Sequence, residues 1–297
     1  MKDKLSIYWG IFLTILLVFI ISVEVMHRVS KEKDLTYQCR IVIDKHLAVE
    51  DYSSEEEPKA DKGNMYESTS YGVLPKNQKD YMKIFKAYSA KCNYSGPYVK
   101  AAVVLKEATP AQVQKIVEDL DGAKISFIIP YYVPNLHEVI DSIIANGDEF
   151  FIQLPTQSSI PEEKTSKVSP FLANADPKET LDKLRYLIAS SKYAIGVSVI
   201  SNSLLLKSKK DLLLIANELS KKGLAFLGLQ DGGDVFEDVL QDIKMLLLRA
   251  EVYSEEDEIS ASSSFIFDFS QMQKFMSSLP KGAKIVPLSF GVQDASL

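Results

Sequence analysis

The chain is poor in the residues and motifs from which several classes of protein build their sites. It has three histidines, which leave little room for a histidine-rich metal site. Basic residues are outnumbered, with 34 Lys and Arg against 40 Asp and Glu. The resulting formal net charge of -6 argues against a nucleic-acid binder, which needs a basic face. The sequence also contains no Ser-His-Asp order, no glycine-rich phosphate loop and no dinucleotide fingerprint.

Cysteine is equally scarce, since the chain has only Cys39 and Cys92. Their spacing is not that of a zinc site. Two interpretations stay open at this point. In an oxidising compartment the two residues can pair as a disulfide, and otherwise they are unpaired thiols.

The N-terminus carries a clear apolar segment. Leu5–Val23 contains no charged residue and is long enough to span a bilayer, and Tyr8 and Trp9 lie near one edge, as interfacial aromatics do. No small-x-small cleavage site follows, so an uncleaved anchor over residues 1–27 is favoured over a cleaved signal peptide. Basic residues flank both sides of the segment, so the positive-inside rule does not decide its orientation.

The remainder divides into two predicted parts. Residues 28–94 are interpreted as a stem and an acidic flexible linker, because the stretch from Val49 to about Lys79 includes EDYSSEEEPKADKG and offers few residues for a core. Residues 95–297 are interpreted as one domain.

A regular order of helix, glycine and apolar strand fills that domain. The segments LDGAKISFIIP, ANGDEFFIQLP, KKGLAFLGLQ and PKGAKIVPLSF each place a glycine where a helix ends, at Gly122, Gly147, Gly223 and Gly282. Capping-box patterns at Thr109, Asn135 and Asp176 mark helix starts. Because continuous apolar strands alternate with helices over short connections, the sequence predicts an α/β fold with a mostly parallel sheet. Six or seven such units favour an irregular, incomplete (β/α) barrel.

In such a fold, functional residues gather where the strands end. The polar and aromatic residues found there are Lys106, Glu107, Tyr131, Tyr132, Gln153, Ser198, Asn202 and Asp231. Tyr131 and Tyr132 fit either stacking on a sugar ring or packing at the rim. Asp231 and the acidic residues after it fit either a cation site or the start of a helix.

The residue order of these segments resembles that of the divergent polysaccharide deacetylases, a branch of the carbohydrate esterases. FIIPYYVPNLHEVIDSIIANGDEFFIQLPTQ, residues 127–157, is similar to the family's Leu-Pro-Tyr strand end, Ala-Pro-Asn helix start, Ala-Gly-His-Glu turn and His-Leu-Pro-Met strand end. YAIGVSVISNS and KKGLAFLGLQD stand where the family has Gly-Val-Asn-Asn-His-Met-Gly-Ser and Arg-Gly-Leu-Phe-Phe-Leu-Asp-Ser-Arg. The resemblance covers residues 98 to about 290.

The resemblance implies a barrel in which a carboxylate and imidazoles hold a divalent metal such as zinc. That ion activates water against an acetamide carbonyl, and a second carboxylate acts as base. The corresponding positions in this chain have lost most of these groups: Lys106 and Glu107 replace an Asp-Asp pair, Gln153 and Ile200 replace His, and Gly228 replaces Asp. Losing several ligands together should abolish tight metal binding, so no metal cofactor is expected.

The sequence therefore predicts a degenerate enzyme: a membrane-anchored envelope protein that binds glycan or a protein partner, with Tyr131, Tyr132, Ser198, Asn202 and Asp231 as candidate cleft residues. Its expected location is the bacterial inner membrane, with a single span and the C-terminal domain in the periplasm. The alternative is an active metal-dependent carbohydrate esterase, with a site rebuilt around Glu107 and Asp231.

Overall fold

The computed structural model describes residues 65–156, 170–199, 204–229 and 243–292. Its strands are β1 (Tyr66–Thr69), β2 (Gly72–Pro75), β3 (Tyr98–Val104), β4 (Ser126–Pro130), β5 (Glu149–Gln153), β6 (Gly196–Val199), β7 (Ala225–Leu229), β8 (Leu247–Val252), β9 (Ser264–Asp268) and β10 (Lys284–Pro287). Its α-helices are α1 (Lys83–Tyr88), α2 (Pro110–Asp119), α3 (Leu136–Asn146), α4 (Pro177–Ser190), α5 (Lys209–Lys222) and α6 (Met272–Ser277). Short 3-10 turns span Leu204–Lys207 and Phe269–Gln271.

Strands β3 to β9 form a closed parallel barrel. They follow one another in the sheet in chain order, and β9 pairs back onto β3, so that Val104 is in register with both Ile128 and Asp268. β10 adds to the first half of β3 in parallel register. The predicted α/β barrel is thus confirmed, and its ring has seven strands rather than eight. Strands β8 and β9, which complete the ring, were not singled out in the sequence.

The register identifies the interior face of the barrel. Residues in register on neighbouring strands point to the same side. Ala102, Ile128, Phe151, Leu227 and Ile266 come from five different strands of the ring and belong to one buried cluster. Because side chains from around a closed ring can meet only inside it, this face is the interior, which is packed with apolar residues as in other small barrels.

Local signals placed most helix ends correctly. Thr109 forms the predicted capping box with Gln112, and the Asp176 carboxylate accepts hydrogen bonds from the next turn. Gly147 and Gly223 end α3 and α5 in left-handed conformation, with φ of 83° and 73°, as predicted. The predicted box at Asn135 is wrong: its φ is 56°, and its side chain makes no capping hydrogen bond. A capping residue needs an extended backbone, which Asn135 lacks.

The structure differs from the predicted linker after residue 64. A hairpin, β1–β2, and helix α1 occupy this part of the chain, and α1 buries Ile84 and Phe85 completely. Phe85 belongs to the interior cluster, and its N–H donates to the Gly223 carbonyl oxygen at 3.0 Å. The linker interpretation rested on the acidic stretch EDYSSEEEPKADKG, which ends before β1, and the structure places folded elements between that stretch and the predicted domain start at residue 95.

The remaining N-terminal predictions fall largely outside this part of the chain. The anchor segment Leu5–Val23 and the acidic stretch lie outside the described residues. Within the described ranges, no helix combines the length and the apolar character needed to cross a membrane. Cys92 is disulfide-bonded, which agrees with the pairing alternative, and the only other cysteine in the sequence, Cys39, lies outside the described residues.

Candidate functional site

An ion pair stands at the mouth of the barrel, where the parallel strands end. Lys106 follows β3, and its Nζ lies 3.1 Å from Oδ2 of Asp268, the last residue of β9. The two side chains are 72% and 38% exposed, so the pair is in contact with solvent. Since β3 and β9 are the strands whose pairing closes the ring, the contact bridges the closing seam. Glu107, the next residue, is exposed and lies in the turn beyond the strand.

Two other predicted site residues are neighbours in the sheet. Gln153 ends β5 in register with Ser198 of β6, and Ser198 is in turn in register with Leu227 of the interior cluster. Ser198 is fully buried, and its Oγ has no hydrogen-bond partner in the described part of the chain. Gly228 lies in β7 opposite Val199 and offers no side chain. Beneath the mouth, the sheet thus places the Gln153 amide beside the Ser198 hydroxyl, which has no partner among the described residues.

Three of the predicted positions lie outside the described residues: Ile200, Asn202 and Asp231. The structure consequently brings together Gln153 with Ser198 and Lys106 with Asp268, and it leaves the interpretation of Asp231 as a prediction. The alternative of a site rebuilt around Glu107 and Asp231 is not tested by these residues.

The tyrosine pair at the end of β4 divides between two environments. Tyr131 and Tyr132 lie edge to face, with ring centroids 6.0 Å apart and planes at 75°. Tyr132 is 49% exposed beside the mouth. Tyr131 lines a cavity on the outer side of the barrel, and burial, with a smaller effect of Tyr186, raises the pKa of its hydroxyl. Stacking on a ligand and packing at the rim both stay predictions.

The described mouth residues do not fit a divalent metal. In the described ranges, no three His, Cys, Asp or Glu side chains come together as a possible metal site. Asp268, a carboxylate at the mouth, is paired with the ammonium of Lys106. Gln153 supplies a weakly coordinating amide, and Gly228 supplies nothing, so the donor set is too poor for tight binding.

Sequence reasoning missed Asp268, although the signal was present. Asp268 ends the apolar run SFIFD directly before a helical segment, which is the same strand-end signal that drew attention to Lys106. The strand itself was not singled out, so its last residue was not considered. Of the side chains that line the outer cavity, only Tyr131 was predicted, and the others were missed because they come from a hairpin turn, a loop and a helix rather than from strand ends.

The opposite end of the barrel holds a buried carboxylate that was also missed. Glu149 begins β5 and is fully buried. It accepts hydrogen bonds from the Ala90 N–H at 2.9 Å, from the Ser126 hydroxyl at 2.6 Å, and from both the N–H and the hydroxyl of Ser289. Burial raises the pKa of Glu149, and these hydrogen bonds oppose that rise. Four separate segments meet at this one side chain, which indicates a structural role.

Its neighbour Asp148 is also buried but accepts fewer hydrogen bonds. The Ile125 N–H donates to Oδ1 of Asp148 at 3.1 Å, whereas Oδ2 has no hydrogen-bond partner within the described ranges. Burial raises the pKa of Asp148 to about 7, and the positive charge of Lys124 opposes that rise. Close to Glu149, Lys100 has its pKa lowered by burial. The amino-terminal end of the barrel therefore contains several titratable groups that are removed from water.

Comparison with known proteins identifies the family. The family model of the divergent polysaccharide deacetylases matches residues 97–265, which is more than half of the chain, and the chain belongs to that family. None of the curated proteins matches the chain.

One solved structure supports the fold. An uncharacterized protein from Agrobacterium tumefaciens C58 has a similar structure, with a TM-score of 0.59 and 16% identity over 73% of this chain and 98% of that chain. A mutant of a CE4 family pseudoenzyme with restored enzymatic activity is more distantly similar, with a TM-score of 0.38 and 10% identity over 66% of this chain and 67% of that chain. The first similarity supports the barrel fold, and the second is too low to carry an argument.

Proposed function

We propose that this chain is a catalytically degenerate member of its family that binds an envelope glycan or an envelope protein without deacetylating it. The observation that carries the proposal is the ion pair between Lys106 and Asp268 at the mouth of the barrel. A deacetylase of this kind needs a cation-binding centre there, and this chain has an ammonium group instead.

The physical argument rests on charge. A divalent ion near Asp268 has to displace the Lys106 ammonium or share the carboxylate with it, and two cations at close range repel each other. Solvent weakens that repulsion, because both side chains are substantially exposed. The lack of strong ligands at Gln153 and Gly228 further disfavours metal binding, since tight binding needs several converging ligands with fixed orientation.

Binding at the mouth is supported by exposed apolar surface. Tyr132 after β4 and Val252 at the end of β8 are 49% and 54% exposed, although both are large apolar or aromatic side chains. A tyrosine ring presents an apolar face and a polar tip, which suits both a sugar ring and a protein surface. The mouth of a barrel is also the usual place for a ligand in this type of fold.

The proposed location is the bacterial inner membrane, with residues 1–27 as a single-pass anchor and the barrel in the periplasm. The apolar segment Leu5–Val23 and the disulfide-bonded state of Cys92 support it, because disulfides persist in oxidising compartments. A reporter enzyme fused after Leu297 tests the orientation. Activity of a periplasm-specific reporter is expected, and activity of a cytoplasm-specific reporter alone contradicts the proposal.

The activity test combines zinc titration with acetate release. Purified protein is titrated with zinc by calorimetry, and acetate release from an acetylated chitooligosaccharide is followed in parallel. We expect neither stoichiometric tight zinc binding nor metal-dependent acetate release. Observing both would instead establish an active esterase with a site rebuilt around Glu107 and Asp231.

A gain-of-function variant provides the matched control. Lys106→Asp combined with Gln153→His and Ile200→His restores the family's residue types at three positions. Zinc binding that appears only in this variant attributes the loss to those positions. Glycan binding by the unaltered protein is measured with the same oligosaccharide, and Tyr132→Ala is expected to weaken it about fivefold or more.

A further inference from the structure

The cavity beside Tyr131 lies outside the barrel and is lined mainly by aromatic side chains. Its volume is about 320 Å³, at the lower end of the range for small-molecule pockets. Four of its seven lining residues are aromatic and come from four separate segments: Tyr71 from the β1–β2 turn, Tyr131 after β4, Phe171 after β5 and Tyr186 from α4. Asp182, Lys183 and Leu187 of α4 complete the lining.

The cavity also contains a carboxylate that forms no ion pair with any residue that the structure describes. Asp182 accepts a hydrogen bond from the Tyr71 hydroxyl at 2.5 Å, and no ion pair of the described residues includes it. The other charges near the cavity are paired: Lys183 lies 2.8 Å from Glu179, and Arg185 lies 2.8 Å from Glu218. Arg185 also interacts with the Tyr71 hydroxyl, but its charge is balanced by Glu218, so Asp182 leaves one net negative charge among the aromatic lining residues.

Aromatic walls and one negative charge together select a class of ligand. The face of an aromatic ring attracts a cation, and several faces around one carboxylate are the arrangement that recognises alkylated ammonium groups. An anion is opposed by Asp182. A sugar needs several hydrogen-bonding partners, but the Tyr71 hydroxyl is engaged with Asp182 and the Lys183 ammonium with Glu179, which leaves mainly the hydroxyls of Tyr131 and Tyr186 for this purpose.

We propose that this cavity binds a quaternary or fully alkylated ammonium group, with Tyr186 and the other rings around the cation and Asp182 as its counter-charge. The cavity is open to solvent at its rim, because Tyr186 is 59% exposed and Leu172, next to Phe171, is 42% exposed. The site is separate from the Lys106–Asp268 pair at the mouth, and the proposal goes beyond glycan or protein binding there.

The test compares a cation with its neutral isostere. Full-length protein, purified in a nonionic detergent that carries no ammonium group, is titrated by calorimetry with choline, with 3,3-dimethyl-1-butanol and with N-acetylglucosamine. Choline is expected to bind at least about tenfold more tightly than the neutral isostere, and the sugar is expected not to compete. Vesicles of phosphatidylcholine, compared with vesicles of phosphatidylglycerol, form a second arm that distinguishes a lipid headgroup from a free amine.

Variants assign the binding to the cavity. Tyr186→Ala and Asp182→Asn are each expected to weaken choline binding about tenfold. Lys274→Met alters an exposed side chain that pairs with Glu255 and does not line the cavity, and it should leave the affinity unchanged. Thermal unfolding followed by circular dichroism confirms that each variant is folded, which the exposure of Tyr186 favours.

Several results would overturn the proposal. Equal binding of choline and 3,3-dimethyl-1-butanol would show a merely apolar pocket, and preferential binding of the sugar would show a carbohydrate site. Binding that Tyr186→Ala and Asp182→Asn leave intact would place the cation elsewhere. No binding of choline or of phosphatidylcholine vesicles would mean that the cavity does not recognise this group.

Discussion

At the amino-terminal end of the barrel, Glu149 is fully buried and is held by backbone and hydroxyl donors from three other segments. At the carboxyl-terminal end, Lys106 and Asp268 meet in contact with solvent. Both arrangements connect parts of the chain that are far apart in sequence. Their energetic weight should differ greatly, because removing one partner of a buried polar group leaves the others desolvated, whereas water replaces a lost partner at the surface.

The comparison separates stability from function within one fold. Polar residues at the amino-terminal end of a barrel belong to the scaffold, and those at the mouth are free to change without unfolding it. A barrel can therefore stay folded when the ligand residues at its mouth are replaced. The following predictions are arranged by expected effect, from the largest to the smallest.

Truncation at the amino-terminal end should have the largest effect. A chain of residues 95–297 lacks α1, whose Phe85 lies in the interior cluster, and lacks Ala90, a donor to Glu149. Losing a buried Phe alone costs about 3–5 kcal/mol, a large part of the usual stability of a domain. We expect no cooperative unfolding by circular dichroism for this chain, whereas a matched chain of residues 65–297 unfolds cooperatively. Equal stability of the two chains would show that α1 is dispensable.

Replacing the buried carboxylate should have the next largest effect. Glu149→Ala leaves hydroxyl and N–H groups of Ser126, Ser289 and Ala90 without their acceptor in a dry environment. We expect the free energy of unfolding to fall by about 3–5 kcal/mol in urea denaturation. Glu149→Gln keeps one acceptor oxygen and should cost less. A loss below about 1 kcal/mol for Glu149→Ala would contradict the structural role.

The pH dependence of stability should reveal the ionisation of Asp148. Burial raises its pKa from the ordinary value of 3.8 to about 7 in the folded protein, so between these pH values the folded state keeps a proton that the unfolded state has released. Stability therefore falls as pH rises through this range, by about 4 kcal/mol at most. Asp148→Asn should flatten this slope and raise stability at pH 8 by about 1–3 kcal/mol.

Some slope should remain in that variant, because burial also raises the pKa of Glu149. Urea denaturation at several pH values between 4 and 8 measures both effects. An unchanged pH profile in Asp148→Asn would mean that the ionisation of Asp148 does not affect folding.

Breaking the ion pair at the mouth should have the smallest effect. Lys106→Met removes a contact whose partners are 72% and 38% exposed, and we expect a change in the free energy of unfolding below about 0.5 kcal/mol. Lys274→Met, which removes another exposed pair with Glu255, is the matched control for a surface lysine. If Lys106→Met, but not Lys274→Met, lowered the free energy of unfolding by more than about 1.5 kcal/mol, the two ends of the barrel would not differ in their contribution to stability.

Much of the fold was predictable because its signals are local. Apolar runs, glycines such as Gly147 and Gly223, and the capping box at Thr109 act within one turn or one strand, so short windows of sequence reveal them. Lys106, Gln153 and Tyr132 were placed at strand ends for the same reason. Asn135 was misread because a pattern of residue types does not specify a left-handed backbone.

The sequence by itself determined the alternating strands and helices and the family, and it predicts that ligand residues are replaced at positions 106, 153 and 228. Only the tertiary structure decided that Asp268 meets Lys106 across 162 residues, that Glu149 accepts hydrogen bonds from Ala90, Ser126 and Ser289, and that four aromatic side chains line one cavity with Asp182. These contacts depend on ring closure and on strand register. Both are set by the packing of the whole barrel, since no short segment contains the partners whose burial selects them.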